Sequence, residues 1–283
     1  MKNKIIQNAA FALLALAMLL TLLFLAGILY FILSRGLPAL SWEFITEVPR
    51  NGMTEGGVAP AIVGTFYLTT GAVLFAFPLG LACAVYLQEY SPKNYAVNII
   101  RVGVNNLAGV PSVVFGLFGL AVFVKFFGFG VSILSGSLTL GILILPGIIS
   151  ASQEALMAVP LSFREASLAM GATQWQTIRR VIIPSALPGI LTGVIISIGR
   201  AAGETAPILF TAATFYKKGF PSSIFSDVMA LPYHIYALMS EGVSPEKQTA
   251  IAYGCAVILI ALVALMSSAA VIIRNKYRST YGH

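Results

Sequence analysis

The chain has 283 residues, of which 58% are hydrophobic and only 10% are charged, with a formal net charge of +7. Soluble domains average about 25% charged residues, so this composition excludes a soluble globular protein and indicates an integral membrane protein. The 17 Lys and Arg residues are spread over short connections and the two ends, which excludes a nucleic-acid-binding surface. Cys83 and Cys255 lie inside apolar runs without disulfide or metal-ligand spacing, so we expect packed core residues and no metal site.

Long apolar runs predict six membrane-spanning helices. A helix needs about 20 apolar residues to cross a hydrocarbon core of about 30 Å, with its backbone polar groups satisfied internally. The first run is about 30 residues long and ends at Ser34 and Arg35 without a small-residue cleavage site, so it is interpreted as a retained anchor. We predict an all-α membrane protein with one transmembrane domain over residues 1–283. Its spans are 8–33, 61–88, 103–124, 131–150, 186–212 and 249–273, its external loops 35–60 and 213–248, and its large cytoplasmic loop 154–185.

The distribution of positive charge predicts the orientation of the chain. Cytoplasmic connections of membrane proteins carry an excess of Lys and Arg. With six spans and both ends on one side, ten residues fall on that side: Lys2, Lys4, Lys93, Arg101, Arg164, Arg179, Arg180, Arg274, Lys276 and Arg278. Six fall on the opposite side: Arg35, Arg50, Lys125, Lys217, Lys218 and Lys247. This excess predicts that both termini are cytoplasmic.

Proline, glycine and amphipathic spacing predict local features along the chain. Pro38 suits the first turn of a short external surface helix, and Pro78 predicts a kink in the second span. Residues 89–106 are predicted to form a short cytoplasmic loop. Gly116 and Gly119 predict close but ordinary helix packing. In the second external loop, four apolar residues are spaced for an amphipathic helix on the membrane surface: Phe220, Phe225, Met229 and Tyr233.

The large cytoplasmic loop carries two helix-start signals. Ser162 followed by Glu165, and Thr173 followed by Gln176, each match a capping box. Gly171, between the two signals, can end the first helix in a left-handed conformation at little steric cost. The sequence therefore predicts two short helices with a bend at a fixed place.

The first of these short helices, Phe163 to Met170, is compact and rich in Ala. Such a helix suits a groove in another protein, and equally a plain interfacial position. The order Glu165-Ala166-Ser167, then Gly171, Val181 and Ile183-Pro184, resembles the EAA loop of ABC-importer permeases. The resemblance implies the type I permease fold, with this helix as the coupling helix that docks into an ATPase subunit. The residues that it implies for coupling are Phe163, Arg164, Glu165, Ala166, Ser167, Gly171 and Pro184.

The chain contains no segment of the form G-x-x-x-x-G-K-[ST], which cradles ATP phosphates. We therefore expect it to bind no cofactor and to have no catalytic residues. ATP and Mg are expected at a separate ATPase subunit. Closure of that partner would then move the two short helices as a rigid lever and tilt the span that is predicted to begin after Pro184.

Two charges interrupt the fifth span, Arg200 and Glu204. They are four residues apart on one helical face, where they can pair. Counted from Ala186, Arg200 lies roughly 21 Å and Glu204 roughly 27 Å along the helix, in the outer half of the bilayer. Such charges mark either an ion pair that locks two helices together or a path for an anion. The small residues around them favour the path, in which Arg200 attracts an oxyanion while Glu204 and the Thr205 hydroxyl tune its release.

The run from Arg200 to Phe210 resembles the permeases of phosphate importers in particular. The likeness covers most of the chain and includes four further stretches: Gly36–Phe44, Met53–Gly57, Pro60–Gly64 and Val110–Leu117. It implies a subunit of a phosphate importer in the cytoplasmic (inner) membrane that works by alternating access. The implied partners are a second permease, an ATPase dimer, an external phosphate-binding protein and membrane lipids, and no nucleic acid.

Three alternatives to phosphate import share some of these sequence features. A permease for another oxyanion, such as sulfate or molybdate, would share the same physical features. An ion-gradient-driven carrier could use Arg200 and Glu204 as a proton relay, but it would need no docking helix. A purely structural membrane scaffold would leave the charged pair without a purpose.

Overall fold

The computed structural model describes residues 2–91, 95–217, 219–241 and 245–281, and its secondary structure is almost entirely helical. The first half contains α1 (Lys2–Gly36), α2 (Trp42–Thr46), a hairpin of β1 (Pro49–Arg50) and β2 (Glu55–Gly56), α3 (Ala59–Val85), α4 (Tyr95–Ala108), α5 (Ser112–Gly119) and α6 (Ile133–Met157). The second half contains α7 (Leu161–Ala169), α8 (Gln174–Thr177), α9 (Ile183–Gly203), α10 (Ala206–Thr211), α11 (Leu231–Ser240) and α12 (Pro245–Tyr281). Turns of π-helix extend α3 over Tyr86–Tyr90, extend α5 over Leu120–Phe126, and join α8 to α9 over Ile178–Ile182.

Five stretches of the described chain are long and apolar enough to cross a membrane, and the bent pair of α4 and α5 makes a sixth if it is counted as one span. The five are Ile6–Ala39, Ala59–Tyr90, Ile133–Met157, Gln174–Gly203 and Gln248–Tyr277. The prediction of an all-α membrane protein is confirmed. Pro78 lies inside the uninterrupted helix α3, and Pro38 lies in a 3-10 turn ahead of α2 rather than in α2 itself.

The third predicted span is not one straight helix, because α4 and the helical stretch Ser112–Phe126 meet at an angle of 105°. The break falls at Pro111, which has an extended ψ of 139° and prevents the residue before it from continuing α4. The prediction of a loop over residues 89–106 was wrong, since most of this range forms α4. Val97 of α4 is buried against Leu87 and Ile149, and this apolar contact holds α4 against α6 and the end of α3.

Helix α6 lies between α3 and α9, and small residues bring the three backbones together. A Cβ atom at Gly80 of α3 would lie 2.7 Å from the Cγ2 atom of Ile148, and one at Gly189 of α9 would lie 2.7 Å from the Cβ atom of Ala155. Neither distance leaves room for a side chain, so the three helices form one tightly packed unit. Gly116 of α5 likewise contacts α10, which confirms the close packing predicted for it.

The segment between α10 and α11, together with the end of α10, caps the start of α6. The backbone N–H groups of Ser132, Ile133 and Leu134 donate to carbonyl oxygens of Thr211, Ser226 and Ile224, each at 2.9 Å. These hydrogen bonds satisfy N–H groups that have no partner within their own helix.

The amphipathic helix predicted for this external segment is placed wrongly. Phe220 and Phe225 lie in irregular chain, and α11 begins only at Leu231. The segment before it cannot be helical, because its carbonyl groups cap α6. Helix α11 buries one face, with the side chains of Leu231, His234 and Leu238 at 2% exposure or less.

Helix α1 stands apart from the rest of the protein, with no buried residue in its most apolar window. Its C-terminal end packs on α12, where the rings of Phe31 and Tyr253 are 5.7 Å apart and Arg35 lies 4.4 Å above the Phe31 ring. Cys255 of α12 is fully buried, as predicted, and Cys83 of α3 is partly exposed.

Candidate functional site

The segment between α6 and α9 forms two short helices, as predicted, but only one of the two predicted caps exists. Thr173 caps α8: its Oγ1 accepts from the Gln176 N–H at 3.3 Å, and its own N–H donates to Gln176 Oε1 at 2.9 Å. The predicted cap at Ser162 is wrong. Helix α7 starts two residues earlier than predicted, at Leu161 after Pro160, so Ser162 lies inside the first turn.

Gly171 makes the bend between α7 and α8. Its φ angle is +82°, in the left-handed region that residues with a side chain rarely adopt. Its N–H donates to the Leu168 carbonyl at 2.9 Å, and the next N–H, of Ala172, donates to the Ser167 carbonyl at 3.3 Å. These bonds close the end of α7 and set the direction in which α8 begins.

The outer face of the two short helices is apolar and exposed. Met170 is 87% exposed, Leu161 65%, Trp175 53% and Leu168 50%. Glu165 and Ala166 are also exposed, between these apolar side chains. An exposed apolar patch with a central carboxylate is typical of a contact surface for another protein.

Two of the predicted coupling residues point the other way, towards the membrane helices. Phe163 packs against the buried cluster that includes Leu156 and Ile178. Arg164 donates from Nη1 to the Val159 carbonyl at 2.8 Å, and from Nη2 to the Leu156 carbonyl at 2.9 Å. Nη2 also lies 3.0 Å from Glu89 Oε1, and the two side chains are only 18% and 10% exposed. Arg164 therefore holds α7 in place and does not lie on its exposed face.

Sequence reasoning missed Glu89 and Gln174, which complete the attachment of this segment. Gln174 Nε2 donates to the Glu89 carbonyl at 2.8 Å, and the hydroxyl oxygens of Ser167 and Thr177 are 2.9 Å apart. Glu89 is 75 residues before Arg164, and no local pattern links them. The one available signal was a single acidic residue at the cytoplasmic end of an apolar span.

Pro184 does not separate a loop from a membrane helix. The helix runs without a break from Gln174 to Gly203, and Pro184 lies within its length. The predicted division at Pro184 is therefore wrong, and the bend is at Gly171. The π-helical turn Ile178–Ile182 directly precedes the proline, and such wide turns often accompany an interrupted pattern of helical hydrogen bonds.

The charged pair lies at the far end of this long helix. Helix α9 ends at Gly203, and Glu204 is in an extended conformation with a ψ of 131°. Arg200 Nε and Glu204 Oε1 are nevertheless 3.8 Å apart. Thr205, next in the chain, is partly exposed and starts the six-residue helix α10. The fifth predicted span therefore consists of a long helix, a break at the charged pair and a short helix.

Arg200 faces an open surface. Its side chain is 44% exposed, and it lies in the last turn of α9, where the free carbonyl groups stabilise a cation. The other exposed residues of α9 are Gly189, Ile196 and Gly203. The ion pair joins two residues of one continuous segment, so it does not lock two helices together.

A cavity elsewhere in the protein differs from the surface around Arg200 in its lining. A cavity of about 680 Å³ lies between α3, α6 and the external segment around Pro221. Its lining is apolar or carries hydroxyl groups and includes no charged residue: Tyr67, Thr70, Gly71, Leu74, Phe75, Ile133, Leu134, Ser137, Leu138, Pro221, Ser222, Ser223 and Ile224. An anion would find no counter-charge there, in contrast to the surface around Arg200.

Two relatives are similar to this chain over nearly its whole length. The probable ABC transporter permease protein YqgI of Bacillus subtilis (strain 168) is 33% identical over 95% of each chain. The phosphate transport system permease protein PstA of Xylella fastidiosa (strain Temecula1) is 34% identical over 99% of this chain and 96% of its own.

Among solved structures, a bacterial alginate ABC transporter matches 96% of this chain and 94% of its own with a TM-score of 0.65. At 17% identity this match shows the fold alone, that of the permeases of ABC importers. Residues 76–279 match the family described as "binding-protein-dependent transport system inner membrane component". The chain therefore belongs to this family, the membrane-spanning permease subunits of ABC importers.

Proposed function

We propose that this chain is the PstA-like permease subunit of an ATP-driven importer that moves inorganic phosphate across the inner membrane by alternating access. The observation that carries the proposal is its 34% identity, over nearly its whole length, to a phosphate transport system permease. The exposed guanidinium of Arg200 in an otherwise apolar membrane helix supports an anionic substrate.

The chemistry of the charged pair suits transient binding of an oxyanion. An Arg guanidinium presents a planar fork of donors that matches phosphate oxygens. The 3.8 Å separation from Glu204 exceeds hydrogen-bond distance, and the described residues offer the Arg200 guanidinium no hydrogen bond. Its donors are thus available to an anion, while the nearby carboxylate weakens binding enough for release. Thr205 can add a hydroxyl donor at the same place.

The cytoplasmic segment supports ATP-driven coupling. We infer that the exposed face around Glu165, Leu168 and Met170 docks into an ATPase subunit, because it is an apolar surface on short, firmly held helices. Gly171 keeps the angle between the two helices, and Pro184 lies in the helix that receives the motion. ATP and Mg belong to a PstB-like ATPase dimer.

The other partners follow from the same proposal. A PstC-like permease would complete the anion path on the open side of α9, and a PstS-like binding protein would deliver phosphate on the external side. We also propose that both termini lie in the cytoplasm, as the excess of Lys and Arg residues on that side predicts. Because the chain belongs to the family of ABC-importer permeases, we do not propose an ion-gradient-driven carrier or a membrane scaffold.

A permease for sulfate or molybdate remains the second candidate, because these oxyanions would bind Arg200 through the same donors. Uptake by vesicles that contain the reconstituted complex distinguishes the candidates. We expect ATP-dependent uptake of labelled phosphate that excess sulfate or molybdate does not reduce. Vesicles without ATP are the control. Uptake of sulfate or molybdate in preference to phosphate would contradict the proposal.

A further inference from the structure

We propose that Glu89 is a positioning residue that anchors the coupling segment to α3, so that force from the ATPase reaches α3 and α6 as well as α9. This proposal rests on the function proposed above. The Glu89 anchor is defined by two contacts: its carboxylate with Arg164 of α7, and its carbonyl oxygen with Gln174 of α8.

Glu89 is well placed to hold both short helices at once. Its side chain lies 3.0 Å from Arg164 Nη2, and its backbone oxygen accepts from Gln174 Nε2 at 2.8 Å. Gly171 lies between these two contacts along the chain, and a Cβ atom added to it would have no described neighbour within 4 Å. One residue at the end of α3 therefore spans the bend and fixes the relative position of the helices on either side of it.

Burial makes the ionic contact more than a surface ion pair. Exposed pairs contribute little, but the Glu89 and Arg164 side chains are 10% and 18% exposed. The guanidinium also bonds the carbonyl groups of Leu156 and Val159, at the end of α6. The planar guanidinium contacts three acceptors in fixed directions, so the Arg164 side chain can adopt few orientations. It therefore joins α7, α6 and α3 at one point.

The anchor adds a connection that the chain itself does not provide. Helix α7 follows α6 in the chain, and α8 continues into α9. The membrane helices α6 and α9 are therefore linked covalently to the two short helices. Helix α3 is distant in sequence. Its residues Ala84 and Val85 share an apolar cluster with Phe163 and Ile178 of the segment, and Glu89 adds directional polar contacts to this packing. Because α3 and α6 are packed too closely to slide apart, pulling on Arg164 moves them as a pair.

The test compares single variants of Glu89 in the full reconstituted complex. Glu89→Gln removes the charge but keeps the backbone contact with Gln174, and Glu89→Asp keeps the charge. Glu154→Gln is the matched control, because Glu154 is an exposed acid at the cytoplasmic end of α6. Its side chain forms no ion pair with the residues described. The readout is the amount of anion transported per ATP hydrolysed, together with co-purification of the ATPase.

We expect Glu89→Gln to lower transport per ATP by about tenfold while the ATPase still co-purifies and hydrolyses ATP. Glu89→Asp should recover at least about half of the wild-type ratio, and Glu154→Gln should match the wild type. Because Glu89 acts through Arg164, adding Glu89→Gln to Arg164→Gln should change the ratio by less than about twofold. An unchanged ratio in Glu89→Gln, or a full tenfold loss in both backgrounds, would overturn the proposal.

The wild-type complex is assayed with phosphate, sulfate and molybdate in parallel, and the variants are compared with the anion that it carries. Failure to carry phosphate would reject the proposed substrate, while the Glu89 comparison would still give its answer. Amide hydrogen exchange of residues 161–177 provides a second readout that needs no substrate. Faster exchange in Glu89→Gln than in Glu154→Gln is expected, and equal exchange would contradict the anchor.

Discussion

The two ends of the long helix region that begins at α8 are held in opposite ways. At its first end, Gln174 of α8 and Arg164 of the adjoining helix α7 both make hydrogen bonds to Glu89, which is far away in the sequence. At the outer end, Arg200 has one loose ion pair with a residue of the same segment, where the helix breaks. The proposed function predicts this difference, because a segment that receives force from an ATPase must be rigid, whereas a site that passes an anion must also release it.

We expect the largest decrease in uptake from Gly171→Pro, which changes the bend between α7 and α8. Proline fixes φ near −65°, whereas Gly171 has a φ of +82° and an N–H that bonds the Leu168 carbonyl. Uptake by reconstituted vesicles should fall to background while membrane insertion stays normal. Gly171→Asn is the matched control, because Asn tolerates the left-handed region, and it should keep most of the activity. Normal uptake in the proline variant would contradict the role of the bend.

The next largest decrease in uptake is expected from Arg200→Gln, at the exposed end of α9, in a correctly assembled complex. Loss of a charge-assisted hydrogen bond to an oxyanion corresponds to a decrease in uptake of about tenfold to a hundredfold. Arg200→Lys keeps the charge but loses the planar fork of donors, so its uptake should lie between that of the wild type and that of Arg200→Gln. Equal uptake by the wild type and Arg200→Gln would remove this residue from the anion path.

A third prediction concerns stability on the external side. Burial lowers the pKa of the His234 imidazole from 6.5 to about 4, and neither ring nitrogen has a hydrogen-bond partner among the described residues. Between these pH values the unfolded chain binds a proton that the folded protein does not. Stability is therefore complete above about pH 6.5 and falls by up to about 3 kcal/mol as the pH drops to 4.

Thermal unfolding of the purified protein at several pH values tests this prediction. The His234→Leu variant removes the titrating group at a similar volume, so its unfolding temperature should fall less between pH 6.5 and 4 than that of the wild type. Parallel curves for the two proteins would show that His234 does not titrate as described.

The smallest effect is expected in amide exchange and distinguishes the cap at Thr173, which the structure shows, from the predicted cap at Ser162, which it does not. Thr173→Ala removes the acceptor of the Gln176 N–H and should cost about 1 kcal/mol, which corresponds to roughly fivefold faster amide exchange in α8. Ser162→Ala should leave the exchange of α7 unchanged, because Ser162 lies inside the first turn and caps no N–H group. A similar response of both variants would mean that α7 starts later than the structure shows.

Local chemistry made part of this molecule predictable from its sequence. The long apolar runs indicated membrane helices, since a span must satisfy its backbone internally. The bend at Gly171 and the cap at Thr173 depend on residues only a few positions apart, and both were predicted correctly. The pairing of Arg200 with Glu204 was also local, although the helix ends between them.

The features that were missed depend on contacts between distant parts of the chain. Arg164 was interpreted as a docking residue because nothing near it in the sequence reveals Glu89. The external segment around Phe225 looked amphipathic, but its backbone is needed to cap α6. Pro184 looked like a helix boundary, yet the π-helical turn before it allows the helix to continue.

The central claim is that motion of the coupling segment reaches the Arg200 end through one continuous helix. Ile196 is 69% exposed on α9 and lies one turn from Arg200, so a cysteine there reports on the accessibility of this surface. The direct measurement is the rate at which a membrane-impermeant thiol reagent labels Ile196→Cys from outside, with Cys83 and Cys255 replaced. We predict that the rate changes by about tenfold between the nucleotide-free and the nucleotide-trapped complex, and that Gly171→Pro abolishes this change. A rate that does not respond to nucleotide, or that responds equally in Gly171→Pro, would contradict the claim.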